Sequence, residues 1–189
     1  MYPLLRAIGS SLEYLELAFF LDINLRTIAK NCPNLRELTL VSCCSMTLQH
    51  VETNLHSNPV FNYLEKLCIF DESDFPFDSD IPFEIFVFLL SSPILKELQI
   101  SECHSLTDDV FKNAFELNKF KCLESLTLDQ CHSISKKGID VLMNDCNPLS
   151  HISIDHCNSI TAENVEDWGK KSINENWQLY IDDKRSGDE

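Results

Sequence analysis

The fold is decided by a stretch that recurs along the chain. Its clearest copy, residues 123–135, reads Leu-Glu-Ser-Leu-Thr-Leu-Asp-Gln-Cys-His-Ser-Ile-Ser. Six segments carry the first part of it, L-x-x-L-x-L with isoleucine allowed, and they start at Leu12, Leu35, Leu64, Leu95, Leu123 and Leu149. A weaker seventh copy has Asn176, Leu179 and Ile181 at the matching positions. Repeats of this period predict stacked strand–helix units, because one unit cannot bury its apolar face alone.

Four copies continue with a cysteine three residues after the last leucine position. These are Cys43, Cys103, Cys131 and Cys157. A small buried residue suits the turn that leaves a strand, so we predict that these cysteines are structural. Each is followed by a Ser, an apolar residue and then a Thr or Ser that is suited to cap a helix. The predicted caps are Thr47, Thr107, Ser135 and Thr161.

The predicted fold is therefore α/β, a right-handed leucine-rich-repeat solenoid. It forms a curved horseshoe of about six strand–helix units plus a degenerate terminal one. We assign the solenoid to residues 1–181 and expect a terminal strand over residues 177–181. A polar tail at residues 182–189 is expected to be disordered.

Two stretches carry a family resemblance. Residues 31–40, Asn-Cys-Pro-Asn-Leu-Arg-Glu-Leu-Thr-Leu, and residues 131–135, Cys-His-Ser-Ile-Ser, resemble the cysteine-containing leucine-rich repeats of F-box proteins and of related factors that lack an F-box. The resemblance covers about residues 10 to 181. It implies the substrate-recognition part of an F-box-type ubiquitin ligase adaptor. A cullin-ligase adaptor would then bind through sequence upstream of these repeats.

Residues 81–90, Ile-Pro-Phe-Glu-Ile-Phe-Val-Phe-Leu-Leu, look similar to the first helix of an F-box. They stand, however, where the other units have their helix, and Leu95 resumes the repeat five residues later. We therefore predict that they form the helix of the third unit.

Charge narrows the class of partner. Fifteen basic and thirty acidic residues give a net charge of −15, which argues against nucleic acid and against an anionic membrane surface. Residues 71–109 contain ten of the acids and one base, Lys96. We expect a protein partner with a basic patch. The acidic loop at residues 71–80, where Glu72 replaces the cysteine of the other units, either joins that contact or only keeps the protein in solution.

The strand residues that alternate with the buried leucines should form the binding face. With the acidic loop, the predicted partner-binding residues are Tyr14, Glu16, Glu37, Val41, Lys66, Phe70, Asp74, Phe75, Asp78, Glu97, Asp129, His151 and Asp155. An apolar strip is predicted from Tyr14, Val41, Cys68 and Phe70. The strands offer on the order of 450 Å², about half of one partner's share of a standard interface, so loops must contribute.

Neighbouring thiols and imidazoles, as in Cys103-His104 and Cys131-His132, could indicate a zinc or nucleophile site. Zinc needs four ligands around one point, whereas stacked repeats place like residues above like. A reactive thiol must be exposed, and four glycines leave no Gly-rich phosphate loop. We predict that the protein is not an enzyme and has no metal or cofactor.

Nine cysteines without an export signal predict an intracellular protein, cytoplasmic or nuclear, with reduced thiols. A second function stays open beside the ligase role. It is an inhibitor or regulator that caps an enzyme or an assembly partner without ubiquitin chemistry. The partner, the oligomeric state and membership in a longer F-box protein also stay open.

Overall fold

The structure, a computed structural model, describes residues 1–43, 45–48, 61–71, 81–143, 148–174 and 178–184. Within these ranges the strands are β1 (Tyr14–Ala18), β2 (Ile23–Asn24), β3 (Glu37–Val41), β4 (Met46–Thr47), β5 (Lys66–Phe70), β6 (Glu97–Ser101), β7 (Ser125–Asp129), β8 (His151–Asp155) and β9 (Tyr180–Lys184). The helices are α1 (Tyr2–Ile8), a 3-10 turn (Gly9–Ser11), α2 (Leu25–Asn31), α3 (Phe83–Leu89), α4 (Asp108–Asn118), α5 (Lys136–Leu142) and α6 (Ala162–Asn174). None of these described helices is long and apolar enough to cross a membrane.

Seven strands form one parallel sheet in the order β1-β3-β5-β6-β7-β8-β9, so neighbours in the sheet follow one another along the chain. Each strand pairs with the next without a shift in register. The second positions align as Leu15, Leu38, Leu67, Leu98, Leu126, Ile152 and Ile181. A separate parallel pair joins β2 to β4. The α/β class and the strands predicted from the repeat are confirmed.

The core lies on the leucine side of the sheet. Alternate strand residues such as Leu126 and Leu128 are fully buried there, because successive side chains of a strand point to opposite faces. They belong to one apolar cluster with helix residues such as Phe111 and Ile139. On the opposite face, described side chains such as Glu97 and Thr127 are exposed or partly exposed.

Most of these strands end in the same turn. The residue after the strand adopts a left-handed backbone conformation in Phe19, Ser42, Glu102, Gln130 and His156. In the first four of these residues the N–H donates to the carbonyl at the end of the next strand of the sheet, for example from Glu102 to Asp129 at 2.8 Å. Glycine or asparagine would be the expected residue at such positions, so the sequence did not indicate this turn.

The cysteines of the turns are buried and form no disulfide. The thiol donates to a carbonyl in the sheet strand of the previous unit, from Cys43 to Leu17 of β1 at 3.2 Å and from Cys131 to Ile100 of β6 at 3.5 Å. Burial raises the pKa of Cys103 to about 11, which keeps the thiol protonated. These contacts support the predicted structural role.

The predicted helix caps are found only in part. Ser135 Oγ accepts from Lys137 N at 3.2 Å, and Thr161 Oγ1 accepts from Asn164 N at 3.3 Å. Thr47 is the last residue of β4 and pairs with Asn24, which is both the last residue of β2 and the N-cap of α2. Residues 49–60 lie outside the described ranges, so the cap at Thr47 stays a prediction.

A cap between units was not predicted. Thr107 precedes α4 but makes no side-chain cap bond. Its neighbour Asp108 caps the following helix, α5, by accepting from Ser135 N at 2.8 Å, Ser135 Oγ at 2.6 Å and Gly138 N at 3.1 Å. A Cβ at Gly138 would lie 2.6 Å from Asp108 Oδ1, so glycine makes this approach possible.

The third unit has the predicted helix. Helix α3 lies between β5 and β6, and its residues 85–89 are buried in the core. This confirms that residues 81–90 supply a repeat helix. Asp74, Phe75 and Asp78 of the acidic loop lie outside the described residues.

The end of the sheet differs from the prediction. Strand β9 begins at Tyr180 and continues to Lys184, where Asp182 pairs with Ser153 and Lys184 with Asp155. The prediction that a disordered tail begins at residue 182 is wrong for residues 182–184. Main-chain pairing with β8 orders this polar segment although its side chains lack the repeat pattern. Residues 185–189 lie outside the described ranges.

Candidate protein-binding surface

The open face of the sheet consists of the first, third and fifth residues of its strands. Its last row, which we call the carboxyl row, is formed by the fifth residues of six neighbouring strands. In sheet order these are Ala18, Val41, Phe70, Ser101, Asp129 and Asp155. The in-register pairing thus aligns four of the predicted binding residues along one edge, apolar Val41 and Phe70 towards one end and acidic Asp129 and Asp155 towards the other, where Asp155 also pairs with Lys184 of β9.

The apolar end of the carboxyl row is formed by Val41 and Phe70, which are paired on β3 and β5 and partly exposed. The turn after β1 extends it, since Phe19 is 53% exposed and donates its N–H to Val41 at 2.9 Å. Leu21 is 66% exposed. Sequence reasoning missed Phe19 and Leu21, although three apolar residues in a row directly after a strand were a readable signal.

The structure divides the predicted apolar strip. Tyr14 lies in the first row, which is formed by the first residue of each strand. This row is at the other end of the strands from Val41 and Phe70. Its hydroxyl donates to Glu16 Oε2 at 2.5 Å, which raises the pKa of Tyr14. Cys68 lies on the open face but is buried. Tyr14 and Glu16 therefore act together, apart from the carboxyl row.

The first row is less acidic in effect than its composition suggests. Lys66 lies between Glu37 and Glu97 in the register, and its Nζ lies 2.9 Å from Glu97 Oε2. This hydrogen bond raises the pKa of Lys66. The predicted contributions of Glu97 and Lys66 to a charged surface therefore largely cancel.

A ladder of alternating charge precedes the strands and was also missed. Residues at one position of successive units are Glu13, Arg36, Glu65, Lys96 and Glu124. Lys96 Nζ lies 2.7 Å from Glu65 Oε2, and Arg36 pairs with both Glu65 and Glu13. The bond from Lys96 lowers the pKa of Glu65. Ion pairs link the first four of these five residues, so most of the negative charge on this edge is neutralised.

The acidic end of the carboxyl row is formed by Asp129 and Asp155 on neighbouring strands. His156 Nδ1 lies 2.5 Å from Asp155 Oδ1 and 3.8 Å from Asp129 Oδ1, an ion pair when the ring is protonated. Both Oδ1 atoms are shielded from water, and neither has an aligned hydrogen-bond donor among the described residues. Burial, followed by the charge of Asp155, raises the pKa of Asp129. This end therefore holds two neighbouring carboxylates with His156 beside them.

The same three residues are the candidates for holding a cation in the described part of the chain. One ligand atom from each of Asp129, Asp155 and His156 lies within 4.8 Å of the others. Two neighbouring carboxylates would also suit a cationic N–H donor of a protein partner, because charge-assisted hydrogen bonds to carboxylates are strong.

The histidines of the predicted thiol–imidazole pairs do not converge with their cysteines. The rings of His104 and His132 stack on each other, 5.6 Å between centroids, while Cys103 and Cys131 point into the core. The two members of each pair thus lie in different environments, as the repeat geometry predicted.

His151, a predicted binding residue, lies in the first row beside Tyr180. Its ring stacks on that of Tyr180, with centroids 5.4 Å apart and planes 12° apart. Tyr180 is exposed and belongs to the strand that was misplaced in the sequence prediction. These two rings form a second aromatic site, distant from the apolar end.

No protein-family model matches the chain. The fold and the surface define an α/β protein with an in-register parallel sheet, covered on its leucine side and open on the other.

Proposed function

We propose that the chain is a protein-binding module, a right-handed leucine-rich-repeat solenoid whose open face holds a basic partner. The solenoid is supported by the repeat in the sequence and by seven parallel strands that pair in chain order without register shifts. Each unit repeats the same buried positions, so adding units extends one surface rather than closing a pocket.

The observation that carries the proposal is the carboxyl row. It combines partly exposed apolar side chains with two carboxylates, each of which has one oxygen, Oδ1, without an aligned donor among the described residues, on a chain with a net charge of −15. Apolar anchor residues surrounded by polar and charged groups are typical of protein interfaces. This function requires no catalytic centre, metal or cofactor.

We further propose that the partner is a substrate of a cullin-type ubiquitin ligase, in the cytoplasm or the nucleus. This part rests on the resemblance of residues 31–40 and 131–135 to the repeats of F-box proteins. The inhibitor or regulator is the competing function, and it uses the same face.

The test is a quantitative affinity purification from cells with the tagged chain. The bait is compared with a Phe70→Ala, Asp129→Asn, Asp155→Asn variant and with a control, Glu116→Gln, Ile173→Ala. The control residues are exposed on α4 and α6, away from the open face. Thermal melting first verifies that all baits fold.

Proteins retained by the wild type and the control but lost by the open-face variant support the binding function. The same set of proteins on all three baits contradicts it. A cullin and its adaptor among the recovered proteins, with a partner that accumulates when the proteasome is blocked, support the ligase role. A partner that is recovered without a cullin and is inhibited by the purified chain supports the regulator instead.

A further inference from the structure

Apolar and acidic side chains stand at a defined separation along the carboxyl row. Val41 and Phe70 occupy neighbouring strands at one end, and Asp129 and Asp155 occupy neighbouring strands at the other. Ser101, small and buried, lies between them. Because strands are about 4.8 Å apart, the sheet separates Phe70 from Asp129 by about 10 Å and from Asp155 by about 14 Å.

The acidic end is shaped for a cation that can donate to two carboxylates at once. The candidate oxygens of Asp129 and Asp155 are at most 4.8 Å apart, and the two side chains remain 33% and 28% exposed, which is the surface that an incoming group can reach. Glu102, in the turn after β6, adds a third negative charge near Asp129. A guanidinium presents five donors in a planar fork, whereas an ammonium is a compact point charge.

We propose that the carboxyl row binds an extended segment of a partner protein through an apolar side chain against Val41 and Phe70 and an arginine between Asp129 and Asp155. This proposal rests on the protein-binding function and specifies the chemistry of the partner. An extended chain advances about 3.3 Å per residue, so the arginine lies three or four positions from the apolar residue.

Charge complementarity selects this occupant. A second copy of the chain carries the same net charge of −15 and is repelled from the acidic end. The arginine adds donors beside Asp129 and Asp155, whose four carboxylate oxygens are more acceptors than His156 Nδ1 can satisfy.

The experiment uses the full chain and a set of fluorescent peptides of equal length in a Gly/Ser background. Each peptide has one leucine and one arginine, whose separation varies from adjacent to about seven positions apart. Binding is followed by fluorescence polarisation. The affinity should peak at a separation of three or four, and replacing the arginine by lysine should weaken the best peptide about threefold to tenfold.

Variants locate the contact. Phe70→Ala and Asp129→Asn should each weaken the best peptide about tenfold. The controls Ile173→Ala and Glu116→Gln, which remove an exposed apolar residue and an exposed acid elsewhere, should bind it like the wild type.

An affinity that is independent of the separation, or wild-type binding by Asp129→Asn, overturns the proposal. Equal affinities for arginine and lysine overturn the assignment of a guanidinium. A failure of the protein-binding function can be told apart from a failure of this proposal. If no peptide binds while the partner recovered from cells still requires Asp129 and Phe70, the segment is wrong and the protein-binding function stands. If that partner requires neither residue, both proposals fall.

Discussion

The two ends of the carboxyl row share one backbone and differ in nearly everything that a partner would meet. Val41 and Phe70 offer apolar surface, while Asp129 and Asp155 offer charge. Both ends stand on equivalent strands and equivalent buried leucine positions, and cysteine turns follow Val41 at one end and Asp129 at the other. The comparison shows that the repeat determines the position of a side chain on the sheet. The residue type at the fifth position of each strand determines whether that position is apolar or charged.

The largest effect should come from removing the shared support. Leu40→Ala and Leu128→Ala delete fully buried side chains beneath the apolar and acidic ends, and each should cost about 2–5 kcal/mol of unfolding free energy. Urea denaturation measures both. Similar costs are expected because the two positions are equivalent in the repeat. A cost below about 1 kcal/mol at one site would show that the ends are supported differently.

The next effect should be confined to the acidic end. Asp108→Ala removes three hydrogen bonds to Ser135 and Gly138 and should cost about 1–3 kcal/mol. Asp109→Ala is the matched control, since it removes a neighbouring acid of the same helix turn without a side-chain bond to α5. Hydrogen exchange should quicken in α5 for Asp108→Ala alone. Equal behaviour of the two variants would contradict the cap between units.

A smaller effect is expected in the cysteine turn. Cys131→Ser should cost about 1–3 kcal/mol, because the shorter C–O bond draws the hydroxyl away from the Ile100 carbonyl in a buried site. Cys131→Ala should cost less and leave partner binding intact. Thermal melting and binding of the recovered partner test this. Loss of binding by a folded Cys131→Ala protein would point to a chemical role for the thiol.

The smallest effect should be a gain in stability. Since the pKa of Asp129 is raised in the fold, its ionised form is less favourable there than in the unfolded chain. Asp129→Asn should therefore melt slightly above the wild type at pH 7. The difference should shrink as the pH falls through the folded pKa of Asp129, because protonation removes the same charge. Melting curves at pH 7 and at a pH below the folded pKa of Asp129, with Glu116→Gln as control, test this difference in stability. A wild type more stable than Asp129→Asn at pH 7 would refute this reading of the site.

Most of the fold could be predicted because the repeat records a local rule. Leucines at alternate positions mark the inward side of each strand, and this sufficed for six of the seven strands of the sheet. Strand β9 was misplaced because main-chain pairing, not side-chain pattern, orders residues 182–184. The left-handed turns were invisible because residues such as Glu102 and Gln130 occupy them in place of glycine.

The sequence predicted which residues lie on the open face of the sheet, but it did not predict which of them are already paired with a neighbour. Alternation put Phe70, Asp129 and Asp155 on the open side, and the register then aligned them. What alternation cannot show is which charges already have partners. Glu97 is paired with Lys66, whereas Asp129 retains an unmatched oxygen, and only packing distinguishes the two.

The most direct measurement is the rate of association and of dissociation between the chain and the partner recovered from cells, from low to high salt. Charges act over about 8–10 Å and mainly speed encounter, whereas apolar contacts mainly slow separation. Asp129→Asn should lower the association rate and weaken its dependence on salt. Phe70→Ala should leave association unchanged and speed dissociation about tenfold. An association rate that is indifferent to salt and to Asp129→Asn would contradict the division of roles along the carboxyl row.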